Sequence, residues 1–185
     1  MRALLFTLAL TLPFTGHSQN AIEEVVSILN AVRTDPQNFI VGYLNPYIEK
    51  NNLSENKYAT SLIAELKSGK KIEALQLSPK ISKISKAHAI DLGSKGKVGH
   101  NSSDGTTFDK RLRQKAKAGG AIGENCDYGN DKPIDIVMSL LIDDGIESLG
   151  HRKNILEPRF RFIGVAIEPH KKYRVSCVMD FVEKM

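Results

Sequence analysis

Apolar residues recur at helical spacing through the first half of the chain and in short alternating runs through the second. Ile22, Val25, Val26 and Leu29 put one apolar stripe on a helix over Ala21 to Arg33. Asp35 before Pro36 joins an N-cap side chain to a proline at the first helical position, so a second helix is predicted, in part over Phe39 to Tyr47. Asn51 to Asn56 is a polar connector, and Leu62, Ile63 and Leu66 predict a short helix stopped by Gly69. After a brief alternation at Leu75 and Leu77, Ser78 and Pro79 repeat the cap-and-proline signature and open a helix with Ile81, Ile84, His88 and Leu92 on one face. Beyond Gly96 the chain turns glycine-rich and polar through His100, Asn101, Ser102, Ser103, Asp104 and Gly105, then enters a short basic helix. Ala121 to Cys126, Arg161 to Ile167 and Tyr173 to Phe181 have strand character, with a helix over Ile134 to Leu141 between the first two. Helices first and strands late favour an α+β sandwich around an antiparallel sheet over a doubly wound parallel one.

At 185 residues the chain fits one domain, and 41% hydrophobic with 25% charged residues matches a globular protein, not a disordered tail or a multi-span membrane protein. Its start is different in kind. Met1 and Arg2 precede an apolar run from Ala3 to Leu12, Pro13 breaks it, and Gly16 and Ser18 occupy the small-residue positions of a cleavage site. Residues 1–18 therefore read as a secretory signal peptide, leaving 19–185 as a single domain that is secreted or periplasmic. No lipobox-like cysteine and no C-terminal apolar tail follow, so no stable membrane anchor is expected. The net charge of +5 is scattered, with one dense basic run from Arg111 to Lys117 that reads as a solvated helix face. Nucleic-acid binding is not expected, because aromatics make up only 6% of the chain and Trp is absent.

Export changes the reading of the two cysteines. In an oxidising compartment an even pair usually bridges, so Cys126 and Cys177, both in strand-like segments, are expected to form a disulfide.

The candidate chemistry lies in imidazoles and carboxylates. His88 shares its face with Ile81 and Ile84 and reads as a satisfied core histidine. His100 stands in a polar loop, and His151 follows Gly150 ahead of a predicted helical turn. Glu124 sits inside Gly123-Glu124-Asn125, at the start of a strand where a carboxylate needs a partner. Val137, Leu140, Leu141 and Asp144 fall at i, i+3, i+4 and i+7, which would aim Asp144 inward; alternatively, Asp143 and Asp144 simply end the helix before Gly145. Two imidazoles and two carboxylates are the ingredients of an open zinc site. Neither an HExxH helix nor a Gly-x-Ser-x-Gly turn is present.

Gly99-His100-Asn101-Ser102, Gly123-Glu124-Asn125, the run Gly150 to Leu156 and Gly164-Val165-Ala166-Ile167, in that order, resemble the CAP superfamily of cysteine-rich secretory, antigen 5 and pathogenesis-related 1 proteins, in its bacterial SCP-like branch. The resemblance covers roughly Ile22 to Phe181 and implies a three-layer α-β-α sandwich. It also implies a cleft lined by two histidines and two acids that holds zinc or another divalent cation in some members. His100, His151 and Glu124 match that set. For the second acid, where animal and plant members carry a helical Glu, Asp144 is selected over Asp143 by helical phase. The implied function is a binding or interaction module for an extracellular ligand, lipid or protein; the alternative is a metal-assisted hydrolase with Glu124 as general base. Neither the ligand nor the oligomeric state follows from the resemblance.

Overall fold

The computed structural model describes residues 18–185, so the signal-peptide reading of residues 1–18 lies, but for Ser18, outside the described residues. Helix α1 (Ser18–Thr34) carries the predicted apolar stripe, with Val25, Leu29 and Val32 almost wholly buried. Asp35 caps the next helix, α2 (Pro36–Phe39), its carboxylate accepting from the Asn38 backbone N–H; a π-helical turn over Ile40–Leu44 leads into α3 (Asn45–Lys50). Asn56 caps α4 (Lys57–Ser68) by accepting from Tyr58 and Ala59, and Gly69 follows its end. Strand β1 (Gln76–Leu77) is only two residues long; Ser78 then caps α5 (Pro79–Lys95), which ends on a left-handed Gly96. The later elements are α6 (Phe108–Arg111) with a π-helical turn over Leu112–Ala116, β2 (Gly119–Tyr128), α7 (Pro133–Ile142), α8 (Gly150–Leu156), β3 (Phe162–His170) and β4 (Arg174–Lys184).

The four strands form one sheet in the order β1-β3-β4-β2, antiparallel except for the short parallel pairing of β1 with β3. One face buries Ile163, Val165, Met179 and Phe181 in the larger core with α1 and α7; the other packs Val182 and Phe162 against Ile81, Ile84 and Leu112. Each fully buried side chain such as Leu141 or Phe181 contributes about 1.5 to 3 kcal/mol relative to exposure. The result is the predicted three-layer α-β-α sandwich. Helix α5 lies tight on the sheet because Gly164 has no side chain: a Cβ there would stand 2.5 Å from Ile81 Cγ2 and from the Ser82 amide nitrogen. Strand β2 is an edge strand, yet Gly123, Glu124 and Asn125 at its centre are buried by the elements packed on both faces.

The register overturns the expected disulfide. In the β2–β4 pair Cys126 lies opposite Val178, and Asp127 opposite Cys177. Directly opposed residues point to the same face and neighbours to opposite faces. Cys126 and Cys177 therefore project from opposite sides of the sheet, and both are free thiols.

Candidate functional site

Alternation along β2 explains the Gly-Glu-Asn sequence. Gly123 and Asn125 face α8, and Glu124 faces α5. Gly123 is small because Asn154 Oδ1 would lie 2.8 Å from any Cβ. Asn125 Nδ2 donates to the His151 carbonyl at 3.0 Å, and Asn154 Nδ2 donates to Asn125 Oδ1 at 2.8 Å, so two amides pin α8 to the strand.

On the α5 side, Glu124 is fully buried and both its oxygens are engaged. Oε1 accepts from His100 Nδ1 at 2.9 Å, and Oε2 from Arg111 at 2.5 Å. The bond to Glu124 raises the His100 pKa above its ordinary value, outweighing the burial that would lower it. His100 itself is about half exposed, 49% by side chain. Its loop is tied down at several points. Gly99, at φ 115°, donates its N–H to the Tyr128 hydroxyl at 2.9 Å and accepts from His88 Nε2 at 3.1 Å. Asp91 accepts from the Ser103 backbone N–H at 2.7 Å and pairs with Lys95; those bonds hold its carboxyl well below the usual range.

Arg111 corrects the reading of the basic run as a solvated face. Its side chain is buried, and besides Glu124 it donates to the His100 carbonyl, Ser102 Oγ and the Thr106 carbonyl, clamping the loop from below. Nothing in the local sequence signals this, since a helical turn of alternating basic residues conceals which one turns inward.

Beneath His100 lie groups that the pattern of residues undervalued. His88 is buried as expected but only half satisfied, because its Nδ1 has no hydrogen-bond partner among the described residues. Burial holds its pKa below the ordinary value. Asp180, opposite Glu124 on β4, accepts from Ser85 Oγ at 2.7 Å; burial, with the Glu124 charge beside it, pushes its carboxyl well up. A polar cavity of about 380 Å³ opens next to His88 and Arg111, with Lys95, Ser103 and Lys115 on its wall.

His151 occupies the other side of β2. Its Nδ1 lies 2.7 Å from Asp143 Oδ1, and its backbone N–H donates to Asp143 Oδ2 at 3.0 Å. The partner is thus Asp143, not Asp144. Helix α7 ends at Ile142, and Asp143 turns left-handed at φ 58°, which breaks the helical phase on which Asp144 was selected. Asp144 is exposed and bonds Asn56.

The structure accordingly builds two imidazole–carboxylate pairs, His100 with Glu124 and His151 with Asp143. Asp144 belongs to neither pair, and the donor atoms of His100, His151, Glu124 and Asp144 do not all lie within 4.8 Å of one another. Among the described residues, the group of His, Cys and acidic side chains with donor atoms all within 4.8 Å of one another is His88, Glu124 and Cys126.

Comparison with known proteins agrees with this architecture. Residues 26–181 match the model of the cysteine-rich secretory protein family, CAP. A segment of 95 residues is 33% identical to the protein YkwD of Bacillus subtilis (strain 168), covering 51% of this chain but only 35% of that protein. Among solved structures, an outer surface protein from Borrelia burgdorferi superimposes with a TM-score of 0.60 at 15% identity over 92% of this chain and 99% of its own. A cysteine-rich secretory protein from Staphylococcus aureus subsp. aureus Mu50 gives 0.55 at 12% identity over 92% and 40%. NaASP2, solved with Zn2+, gives 0.53 at 14% identity over 92% and 83%. At these identities the likeness concerns the fold.

Proposed function

Since the chain belongs to the cysteine-rich secretory protein family, CAP, we propose that it acts outside the cytoplasm as a binding module, in which His100 and His151 take up a divalent cation or a small extracellular ligand. The observation that carries this reading is the use of the two buried acids. Glu124 and Asp143 each hold the Nδ1 of one imidazole, which leaves Nε2 as the group each histidine offers outward. A carboxylate that fixes the ring and tautomer of an imidazole is the arrangement that commonly supports metal-binding histidines. Neutral imidazole suits zinc and its neighbours, so the donor chemistry fits such an ion, which would supply a Lewis-acidic anchor for a ligand.

The binding reading is favoured over hydrolysis because Glu124, the candidate general base, is closed to solvent beneath His100 and paired with Arg111, so no attacking water reaches it directly. The apolar start of the chain and the outer-surface description of the Borrelia burgdorferi protein support an extracellular setting. Among the described residues no helix is long and apolar enough to cross a membrane.

Calorimetric titration of zinc into the wild type, His100→Ala and His151→Ala tests the proposal. Each substitution is expected to weaken binding at least about tenfold, the scale on which even supporting partners of a metal site act. An unchanged affinity in both removes the histidines from the function. Chelator-sensitive turnover of peptide or ester substrates, abolished in Glu124→Gln, would replace the binding module with the hydrolase.

A further inference from the structure

Below the outward-facing imidazole of His100 lies a second set of donors of a different chemical kind. His88 Nε2 stands 3.9 Å from Glu124 Oε1, and Cys126 Sγ completes a triangle whose members are all within 4.8 Å of one another. Bond lengths of about 2.0 to 2.3 Å in a tetrahedral site imply ligand-to-ligand separations of about 3.3 to 3.7 Å. The three atoms therefore need to close by only about 1 Å around an ion. We propose that His88, Glu124 and Cys126 form a three-ligand site for a borderline-soft divalent cation such as zinc or cobalt, with one thiolate, one imidazole and one carboxylate, and an open fourth position.

The surroundings supply what such a site requires. Glu124 is held by His100 Nδ1 on the oxygen nearest His88 and by Arg111 on the other, so the carboxylate is fixed before any ion arrives. The Cys126 sulfur lies 3.9 Å from the Gly99 carbonyl and 4.0 Å from His100 Nδ1. To bind the ion, His88 Nε2 must release the Gly99 carbonyl, and the ring proton moves to Nδ1, a buried atom that has no partner among the described residues. The floor, His88 and Glu124, is closed to solvent, while half-exposed His100 and partly buried Cys126 leave a way in. Binding converts the Cys126 thiol to the thiolate and releases its proton to solvent. A thiolate ligand makes this centre softer than two outward imidazoles and chemically separable from them.

Cobalt(II) added to the full chain is the direct test. The wild type is expected to develop a near-ultraviolet sulfur-to-cobalt charge-transfer band that Cys126→Ser abolishes and His88→Gln weakens. Cys177→Ser and His151→Ala should leave it in place, so loss of the outer histidine function and loss of this centre are read separately. In the unmodified protein, zinc should slow alkylation of Cys126 by iodoacetamide at least about tenfold, a readout that needs no variant to fold. Absence of the band, its survival in Cys126→Ser, or an alkylation rate indifferent to zinc would each overturn the site.

Discussion

Asp143 holds His151 twice: one carboxylate oxygen lies 2.7 Å from the ring Nδ1, and the other accepts from the backbone N–H of the same residue at 3.0 Å. The second oxygen also lies 3.4 Å from the Arg152 amide, so one buried side chain both aims the imidazole and satisfies free donors at the start of α8. Asp143→Ala is expected to cost about 2 to 3 kcal/mol in urea denaturation, the scale of charge-assisted hydrogen bonds lost from buried donors. Asp144→Ala should leave the midpoint unchanged. Equal losses in the two variants would contradict the assignment of Asp143 as the partner.

Cys126 and Cys177 should remain reduced as a pair under oxidising conditions. Their side chains leave opposite faces of the sheet, so no rotamer change brings the sulfurs together. Thiol titration of protein denatured after air exposure is expected to count both, with no shift between reduced and non-reduced electrophoresis. An intramolecular bridge found by peptide mapping would require a different β2–β4 register.

These two cases show where the sequence stops being informative. That His100, Glu124 and His151 stand in structured motifs was legible because their neighbours have a structural reason, such as Gly123 making room for Asn154. Asp143 was not, since helical periodicity says nothing about the residue after a left-handed turn. The cysteine pair failed for a related reason: a one-residue difference in register decides which face a strand residue occupies, and composition does not encode it. The sandwich itself was legible because apolar stripes and cap signatures at Asp35 and Ser78 act locally.

Gly164 sets the height of α5, and with it the depth of His88. Adding a methyl group at residue 164 drives it into Ile81 and the Ser82 amide, both backbone-anchored, so the helix must lift from β3. Gly164→Ala is expected to lose about 1 to 3 kcal/mol, the usual penalty of overpacking, in thermal or urea denaturation. A neutral outcome would mean that α5 is free to shift on the sheet.

The two histidines on the α5 side should tilt the pH dependence of stability in opposite directions. His100 is raised by its bond to Glu124, so its contribution is complete below the ordinary value of about 6.5 and is lost as pH rises through the raised one. His88 is lowered by burial, so its neutral form fits the fold; that contribution is complete above about 6.5 and is lost as pH falls through the depressed value. Urea midpoints between about pH 5 and 8, in steps of about one unit, resolve the two. Relative to wild type, His88→Gln should flatten the acid-side loss and His100→Gln should deepen it. Parallel curves for wild type and His88→Gln would show that His88 does not resist protonation in the fold.

Asp180 offers the sharpest test of the buried electrostatics. It lies opposite Glu124, its Oδ2 accepts from Ser85 Oγ, and its Oδ1 has no partner among the described residues. Burial first, and the neighbouring Glu124 charge second, raise its carboxyl well above the usual range, so the fold prefers the acid. A raised folded value means that the contribution is complete below about 3.8 and is lost as pH climbs through the raised value. Asparagine keeps the shape, offers an N–H toward Glu124 as the protonated acid would, and does not titrate. Asp180→Asn is therefore expected to match or exceed the wild type near pH 8 and to remove one proton's worth of slope from the stability curve. Asp180→Ala should instead lose about 1 to 3 kcal/mol by leaving the buried Ser85 hydroxyl and Glu124 without it. A destabilised Asp180→Asn at pH 8 would mean that the fold uses the charged carboxylate, and that the Arg111 cation is shared between Glu124 and Asp180 instead of belonging to Glu124 alone.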